Sequence, residues 1–239
     1  QDRVAETRFP NKLGIQTAQW RVVENEVELE AALLAFEGRG ILKTRRFGYD
    51  GKGQAKFSGV PGETAKAGFA AVGSAPSILE ALVDFTHEIS VIAARDGSGN
   101  VRIYDIAENV HREGILASST VPVSVSSTIA GLAADAACKL LEGLNYVGVL
   151  GMEFFALANG TLLANEFAPR VHNSGHWTEA ACAVSQFEQH IRAITGLPLG
   201  DTRRHSDCVM ENLIGDDIAR IPQLYNEWGA VVHLYGKAE

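Results

Sequence analysis

The stretch VGVLGMEFFALANGTLLANEFAPRVHNSGHWT, residues 147–178, constrains this chain more than any other. Apolar runs flank Asn159-Gly160, a dipeptide that favours a two-residue type I′ turn because both positions tolerate positive φ. Folding the runs together about that turn sets Ala158 against Thr161, Phe154 against Asn165 and Glu153 against Glu166. Cross-strand partners on one face have Cβ atoms about 4.5–5.5 Å apart, and like charges there are destabilising. Two carboxylates held together among apolar neighbours need a cation or a shared proton. Magnesium suits such a pair, because it is held by one or two carboxylates together with phosphate oxygens. Arg170, four residues beyond Glu166, adds a planar fork suited to a phosphate or carboxylate. A slip of one residue would separate the acids; the alternative is a solvated hairpin edge with ordinary surface charges.

At 239 residues the chain accommodates one large or two ordinary domains. Its 46% hydrophobic content is ample for a core and its 21% charged residues are ordinary. A net charge of −8 runs against general nucleic-acid binding, which wants a basic face, while leaving room for a local basic pocket. Cys138, Cys182 and Cys208 are scattered, odd in number and without a CxxC pair. They read as reduced thiols of a cytoplasmic protein rather than as zinc ligands or a disulfide framework. No apolar run reaches the ~18 residues of a membrane helix, and no signal-peptide pattern opens the chain. The sequence begins Gln1-Asp2-Arg3 without methionine and stops at Lys237-Ala238-Glu239 after an apolar run, so it reads as a piece of a longer protein.

The remaining pattern is α+β. Helices are expected over residues 2–9, from Asn25 to Gly38, over 63–72, over 127–141 and over 179–194. Asn25 with Glu28 reads as a capping box, with Val27, Ala31, Leu34 and Ala35 as the buried face. Ser127 or Thr128 is the expected cap of the alanine-rich helix, and Gly196 and Pro198 end the last one. Strands are expected at Val22-Val23, 40–44, 78–85, 87–94, 101–106, 209–214 and 230–235. The result is a mostly antiparallel sheet with helices on one side.

Several segments are suited to an anionic ligand. Gly48, Tyr49, Asp50, Gly51, Lys52, Gly53 and Gln54 form a glycine-rich loop. Glycines let backbone N–H groups approach phosphate oxygens and the lysine adds charge, although a plain hairpin loop has the same composition. Lys43 lies just upstream on a strand and with Arg3 makes a candidate phosphate clamp, the alternative being surface charge. Glu80, Ala81, Leu82 and Val83 lie on an apolar strand carrying one acid, suited to an adenine and ribose pocket or equally to a sheet edge. Glu88 can face the same cleft, and His111 closes the strand before it, where a lone histidine is more often structural than catalytic. His172 and His176 have a spacing that chelates zinc on a helix, but Asn173-Ser174-Gly175 between them are poor helix formers. A donor-rich loop suited to an anion is the better reading.

Two runs, KTRRFGYDGKGQ (residues 43–54) and NEFAPRVHNSGHWT (165–178), carry a resemblance to the ATP-grasp superfamily. Within it the chain resembles the family of 5-(carboxyamino)imidazole ribonucleotide synthases of purine biosynthesis. QDRVAE, EISVIAAR, ENVHREGIL and GVLGMEFF support the match in the right order, so that it covers essentially the whole chain. The resemblance implies an ATP-grasp fold over residues 1–195, with a small lid-bearing subdomain at about 22–82 and a larger one at about 83–195. Residues 196–239 would begin a C-terminal β-rich domain. It implies ATP on Arg3, Lys43, residues 48–54, Glu80 to Val83, Glu88, His111 and Asn165-Glu166, with magnesium on Glu153 and Glu166. Tyr49, Asp50, Lys52, Arg170, His172 and Asn173 would line the bicarbonate and ribonucleotide side, and Lys237 would meet the substrate phosphate.

The implied reaction is ATP- and bicarbonate-dependent carboxylation of 5-aminoimidazole ribonucleotide through carboxyphosphate, by a cytoplasmic homodimer with no nucleic-acid or membrane partner. Departures from the family are a missing N-terminal α/β domain, a missing basic run after YGKAE, and Thr7 where many relatives have lysine. Rival readings are another ATP-grasp carboxylate–amine ligase, such as a formate-using formyltransferase or biotin carboxylase, and a nucleotide-binding module that completes no reaction.

Overall fold

Two antiparallel sheets carry the chain, each with its own apolar core, in a computed structural model that describes residues 2–46, 53–60 and 62–235. The first sheet joins β1 (Trp20–Val23), β2 (Arg39–Thr44), β3 (Gln54–Ser58) and β4 (Ser77–Ala81) in the order β1-β4-β2-β3. Directly opposed residues share a face, so Val23, Leu42, Phe57 and Leu79 form one side. Helices α2 (Glu26–Ala35) and α3 (Ala65–Ala71) cover that side with Leu29, Ala32 and Ala65. The other side presents Ile41, Lys43, Ile78 and Glu80.

The second sheet joins β5 (His87–Arg95), β6 (Val101–Ile103), β7 (Ala107–Arg112), β8 (Ile115–Val121), β9 (Gly148–Ala156), β10 (Leu162–Ala168) and β11 (Cys208–Glu211). Its order is β10-β9-β5-β7-β8-β11, with β6 also paired to β5. One face, with Ile89, Val91, Ala93, Leu150, Met152 and Phe154, is buried under the 17-residue helix α4 (Ser127–Gly143). The other face is divided. Ile92, Ala94, Val121 and Val149 meet Trp177 and Ala181 at one end. At the other end Glu88, Ser90, Asn109, Ser119 and Glu153 make a polar surface.

Helix α1 (Arg3–Lys12) is capped by Asp2, which accepts from the Val4 amide at 3.0 Å. The chain after it ties the two sheets together. The Ala164 amide of β10 donates to the Gln16 carbonyl, and the Ala81 amide of β4 donates to the Gln19 carbonyl, both at 2.8 Å.

The hairpin of β9 and β10 reaches the expected Glu153–Glu166 opposition by a different route. The loop has three residues, since Leu157 faces Thr161 through a 2.9 Å amide–carbonyl bond and Gly160 alone of the Asn-Gly pair has positive φ, +83°. This is a type I turn closed by a left-handed glycine. It moves the register by one, so that Phe154 faces Ala164 and not Asn165. A β-bulge between Ala164 and Glu166 then restores the count. The irregularities cancel, and Glu153 stands opposite Glu166.

Other expectations need correction. Ser126, not Ser127 or Thr128, caps α4. The buried stripe of α2 is Leu29, Ala32 and Phe36, with Val27 and Leu34 73% and 84% exposed; apolar residues surround this helix, so periodicity does not choose its face. The strand expected over 78–85 stops at Ala81. The one expected over 101–106 ends at Ile103, and β7 begins separately at Ala107. Strand β8 went unread because its turn, Glu113-Gly114, takes positive φ at both positions (+53° and +80°) without an Asn-Gly or Asp-Gly signature. The helix expected over 179–194 is two, α5 (Thr178–Ala181) and α6 (Gln186–Thr195). Cys182 between them is extended and bridges to Arg204, and Ser185 caps the second helix. After β11 come a 3-10 turn, Gly215–Arg220, and the short α7 (Ile221–Leu224). Residues 230–235 form no strand: they join no sheet ladder among the described residues and leave Val231, Leu234 and Tyr235 exposed.

Gly68 of α3 tests the packing of the four-stranded sheet. A Cβ there would lie 2.2 Å from the ring of buried Phe57. Gly68→Ala is expected to lower stability by about 1–2 kcal/mol, overpacking outweighing the ~1 kcal/mol helix gain. An unchanged urea midpoint would show that the Phe57 ring moves freely.

Candidate functional site

Glu153 and Glu166 face each other from adjacent strands at the polar end of the divided face. Glu153 is only 7% exposed. Its Oε1 lies 3.9 Å from His172 Nδ1. Glu166 retains 40% of its side-chain exposure and accepts from Arg3 Nη1 at 3.3 Å. Arg3 Nε also lies 3.8 Å from Glu80 Oε1, and Glu80 Oε2 accepts from Lys43 Nζ at 2.6 Å. Arg3 therefore spans the cleft from the four-stranded sheet to the seven-stranded one. Arg45 holds the start of α1 in place, donating to Asp2 at 2.8 Å and to Glu24 at 2.9 Å.

Glu88 and His111 form a second pair at 2.8 Å along the same face. Leu82 and Val83 lie in the irregular connection between β4 and β5, half-buried, while the Ala81 amide is taken by Gln19. Gln54 is exposed opposite Lys43, and Gly53 accepts from the Thr44 amide with φ of +70°. Asn165 is the bulged residue of β10.

The HNSGHWT run is a 3-10 turn, Asn173–Gly175, rather than a helix. Gln186 clasps it: its Oε1 accepts from the His172 amide at 2.9 Å and its Nε2 donates to the His172 carbonyl at 2.7 Å. Gly151 leaves the space that His172 occupies, since a Cβ there would lie 2.5 Å from the His172 Cβ. His172 Nδ1 shares a 2.9 Å hydrogen bond with Ser174 Oγ, and His176 Nδ1 one of 3.0 Å with the Tyr235 hydroxyl. Among the described residues no group of three or more His, Cys, Asp or Glu forms a metal cage. Arg170 is exposed and donates to the Val171 carbonyl.

The acids of the opposed pair are driven apart in acidity. Burial pushes Glu153 up to about 7, with Glu166 and Glu88 adding to it and His111 and Arg3 opposing. Burial acts on Glu166 in the same sense, but Arg3, His172 and Lys43 outweigh it and hold this carboxyl below the usual range. Burial takes His172 down to about 4 against the pull of Glu166, with Arg170, His176 and His111 reinforcing the fall. His111 is raised by its hydrogen bond to Glu88. A buried acid that keeps its proton to neutrality beside an ionised one is a site short of positive charge. The donor set, two carboxylates and no cage, fits a hard cation that takes its other ligands from a phosphate.

The sequence-predicted residues thus fall into three groups. Arg3, Lys43, Glu80, Glu153 and Glu166, with His172, form one connected cluster, and Glu88–His111 lies beside it on the same face. Gly53, Gln54, Ala81, Leu82, Val83, Arg170 and Asn173 lie on strand ends and connections, and Asn165 in the bulge of β10, without a side-chain bond to that cluster among the described residues. Gly48, Tyr49, Asp50, Gly51, Lys52 and Lys237 lie outside the described residues. Sequence reasoning missed Gln186, which a continuous helix over 179–194 had absorbed, and the buried polar set Ser90, Asn109 and Ser119.

The family model of the ATP-grasp domain matches residues 8–187. The chain belongs to the ATP-grasp family. It is 65% identical over 239 residues to the N5-carboxyaminoimidazole ribonucleotide synthase of Brucella melitensis biotype 1, covering all of this chain and 66% of that one. An N5-carboxyaminoimidazole ribonucleotide synthetase solved as its ADP complex superposes with a TM-score of 0.93 at 39% identity, over 100% of this chain and 63% of that one. The N5-carboxyaminoimidazole synthase of Aspergillus clavatus, in complex with ADP and 5-aminoimidazole ribonucleotide, gives 0.83 at 25% identity over 94% and 61%. The chain therefore spans slightly less than two thirds of the length of these ATP-grasp relatives. Among the described residues no helix is long and apolar enough to cross a membrane.

The acidities make a pH prediction. Folded Glu153 keeps its proton to about pH 7, whereas an unfolded glutamate loses it near 4.5, so without metal the fold loses stability as pH rises between these values. His172 works in the opposite sense, adding stability as pH rises from about 4 to 6.5. Glu153→Gln removes only the first contribution. In chelator, the variant should exceed the parent by about 1–3 kcal/mol in urea unfolding at pH 8, the gap narrowing to within about 1 kcal/mol at pH 5. A pH-independent gap would mean that Glu153 is ionised throughout.

Proposed function

We propose that this chain is the ATP-handling portion of a 5-(carboxyamino)imidazole ribonucleotide synthase, binding ATP with magnesium in the cleft between the two sheets. The observation that carries this is the register pair Glu153–Glu166, with Arg3 and Lys43 brought to it from α1 and the facing sheet. The names of the relatives, and the ADP and aminoimidazole ribonucleotide in their structures, supply the substrate class. Glu153 and Glu166 would hold the magnesium ion, which when bound neutralises charge on the phosphates. Residues 22–82 serve as the lid-bearing subdomain, 83–195 as the larger one and 196–239 as the start of a C-terminal domain. The cytoplasmic location rests on the scattered thiols and the family resemblance, and the homodimer on the resemblance alone.

In this reading Arg3 and Lys43 exchange their carboxylate partners for phosphate oxygens as ATP enters. Phosphoryl transfer is mostly positioning and charge neutralisation, so these fixed cations orient the terminal phosphate rather than react. A bicarbonate oxygen attacks the γ-phosphorus, the bond to the ADP oxygen breaks, and carboxyphosphate results. The exocyclic amine of 5-aminoimidazole ribonucleotide then takes the carboxyl group, losing a proton as inorganic phosphate leaves. His172 is assigned to the bicarbonate; held neutral well below pH 7, it offers a hydrogen bond without adding charge. Arg170, Asn173 and, beyond them in sequence, Lys237 are assigned to the ribonucleotide, and residues 48–54 to the lid over the phosphates.

ADP release with magnesium and bicarbonate, with and without aminoimidazole ribonucleotide, tests the reading. Release that rises with the ribonucleotide is expected. Magnesium-dependent ATP binding without release would make the chain a nucleotide-binding module, and formate replacing bicarbonate would make it a different ligase. Glu166→Gln should lower stimulated release by on the order of 10²-fold while circular dichroism stays unchanged. Undiminished release from the folded variant would remove Glu166 from the metal site.

A further inference from the structure

Asn109 sits in the polar row of the seven-stranded sheet, and the mechanism above makes no use of it. It stands directly opposite Glu88 on β5 and Ser119 on β8, and is only 4% exposed. Its Oδ1 accepts from the Ser119 hydroxyl at 2.8 Å and from the Ser90 hydroxyl at 3.4 Å. Both serines are buried, and Ser90 lies directly opposite Glu153. Two donors converging on one amide oxygen fix the plane of the side chain and leave its Nδ2 to point elsewhere. That nitrogen is buried and has no hydrogen-bond partner among the described residues.

Burying an amide donor with nothing to accept from it is costly, and folded proteins rarely do so without a reason. The surroundings narrow the reason. Glu88, beside it in the row, is held by His111, and the turn Asn173–Gly175 packs over β5, β7 and β8. Asn109 shares with Glu88 the face that carries Glu153 and Glu166, and that turn packs against the same strands. What is missing there is an acceptor, and an anionic oxygen brought by a ligand supplies one.

We propose that Asn109, its amide held by Ser90 and Ser119, donates through Nδ2 to an oxygen of the nucleotide polyphosphate. This rests on the ATP reading above. A neutral donor suits the position: it strengthens the hold on phosphate without adding a cation that would compete with the metal for Glu153. Ser90 and Ser119 are positioning residues, acting through Asn109.

Calorimetric titration of a non-hydrolysable ATP analogue and of adenosine, both with magnesium and without bicarbonate, tests the proposal. Asn109→Ala should weaken the analogue about tenfold. Asn109→Asp keeps both serine bonds but sets a carboxylate against the phosphates, and should weaken it further. Adenosine should bind both variants within about twofold of the parent, with little change in melting temperature. Analogue affinities within about twofold of the parent in both variants would overturn the proposal, as would equal losses for analogue and adenosine, the signature of structural support. Failure of the parent chain itself to bind the analogue would overturn the ATP reading, and with it this one, a result distinguishable from either of those.

Discussion

The site depends on holding two carboxylates face to face on neighbouring strands, an arrangement that a sheet ordinarily avoids. Glu153 is buried on β9, a nearly fully buried strand between β5 and β10. Its partner is less confined, and the chain spends its irregularities there. The three-residue loop displaces β10 by one residue and the bulge at Asn165 brings it back. Bulges re-aim side chains and increase local twist, and this one lies next to Ala164, whose amide is taken by Gln16. The edge of the sheet is thereby closed just where its ladder is broken, by the segment that also links it to the other sheet.

Repulsion between the acids is absorbed in two different ways. Glu166 stays ionised because Arg3 reaches it, while Glu153, more deeply buried, keeps its proton towards neutrality. The same Arg3 approaches Glu80, which holds Lys43. Arg3 and Lys43, the two described residues of the candidate phosphate clamp, are thus both already paired with acids. Partly buried ion pairs of this kind add little net stability, since desolvation offsets their attraction. That makes them suited to exchange: a polyphosphate replacing Glu80 and Glu166 as partner breaks contacts that cost little to lose.

The sequence made the alternation of the two strands, the opposed acids and the clustered basic residues legible, because these follow from period and composition over short distances. The route by which the acids meet was not legible. A type I′ turn and a type I turn closed by Gly160 share the Asn-Gly signature, and a bulge leaves no composition of its own. The same limit hid β8, whose Glu113-Gly114 turn looks unlike a hairpin signal, and merged α5 with α6 across Ala-Cys-Ala-Val, a run with helical character that tertiary pairing to Arg204 overrides. Gln186 and Asn109 were invisible for a deeper reason. Their roles arise from partners 14 residues away or on neighbouring strands, and no local pattern distinguishes a buried amide from a surface one.

The division of labour between the two faces of the seven-stranded sheet explains why so many polar groups can be buried on one of them. Under α4 the sheet presents an apolar surface, and Ala133, Ala137, Leu140 and Leu141 cluster with Val91, Leu150 and Met152. That face makes the dominant favourable contribution, apolar burial, and fixes the strands in register. On the reverse, β5, β7, β8 and β9 place Glu88, Ser90, Asn109, Ser119 and Glu153 on a surface already made rigid from behind. The Gln186 clasp and the space left by Gly151 then set His172 against it. A site assembled in this way does not need its polar groups to stabilise the fold; it needs the fold to tolerate their being incompletely paired until a ligand completes them.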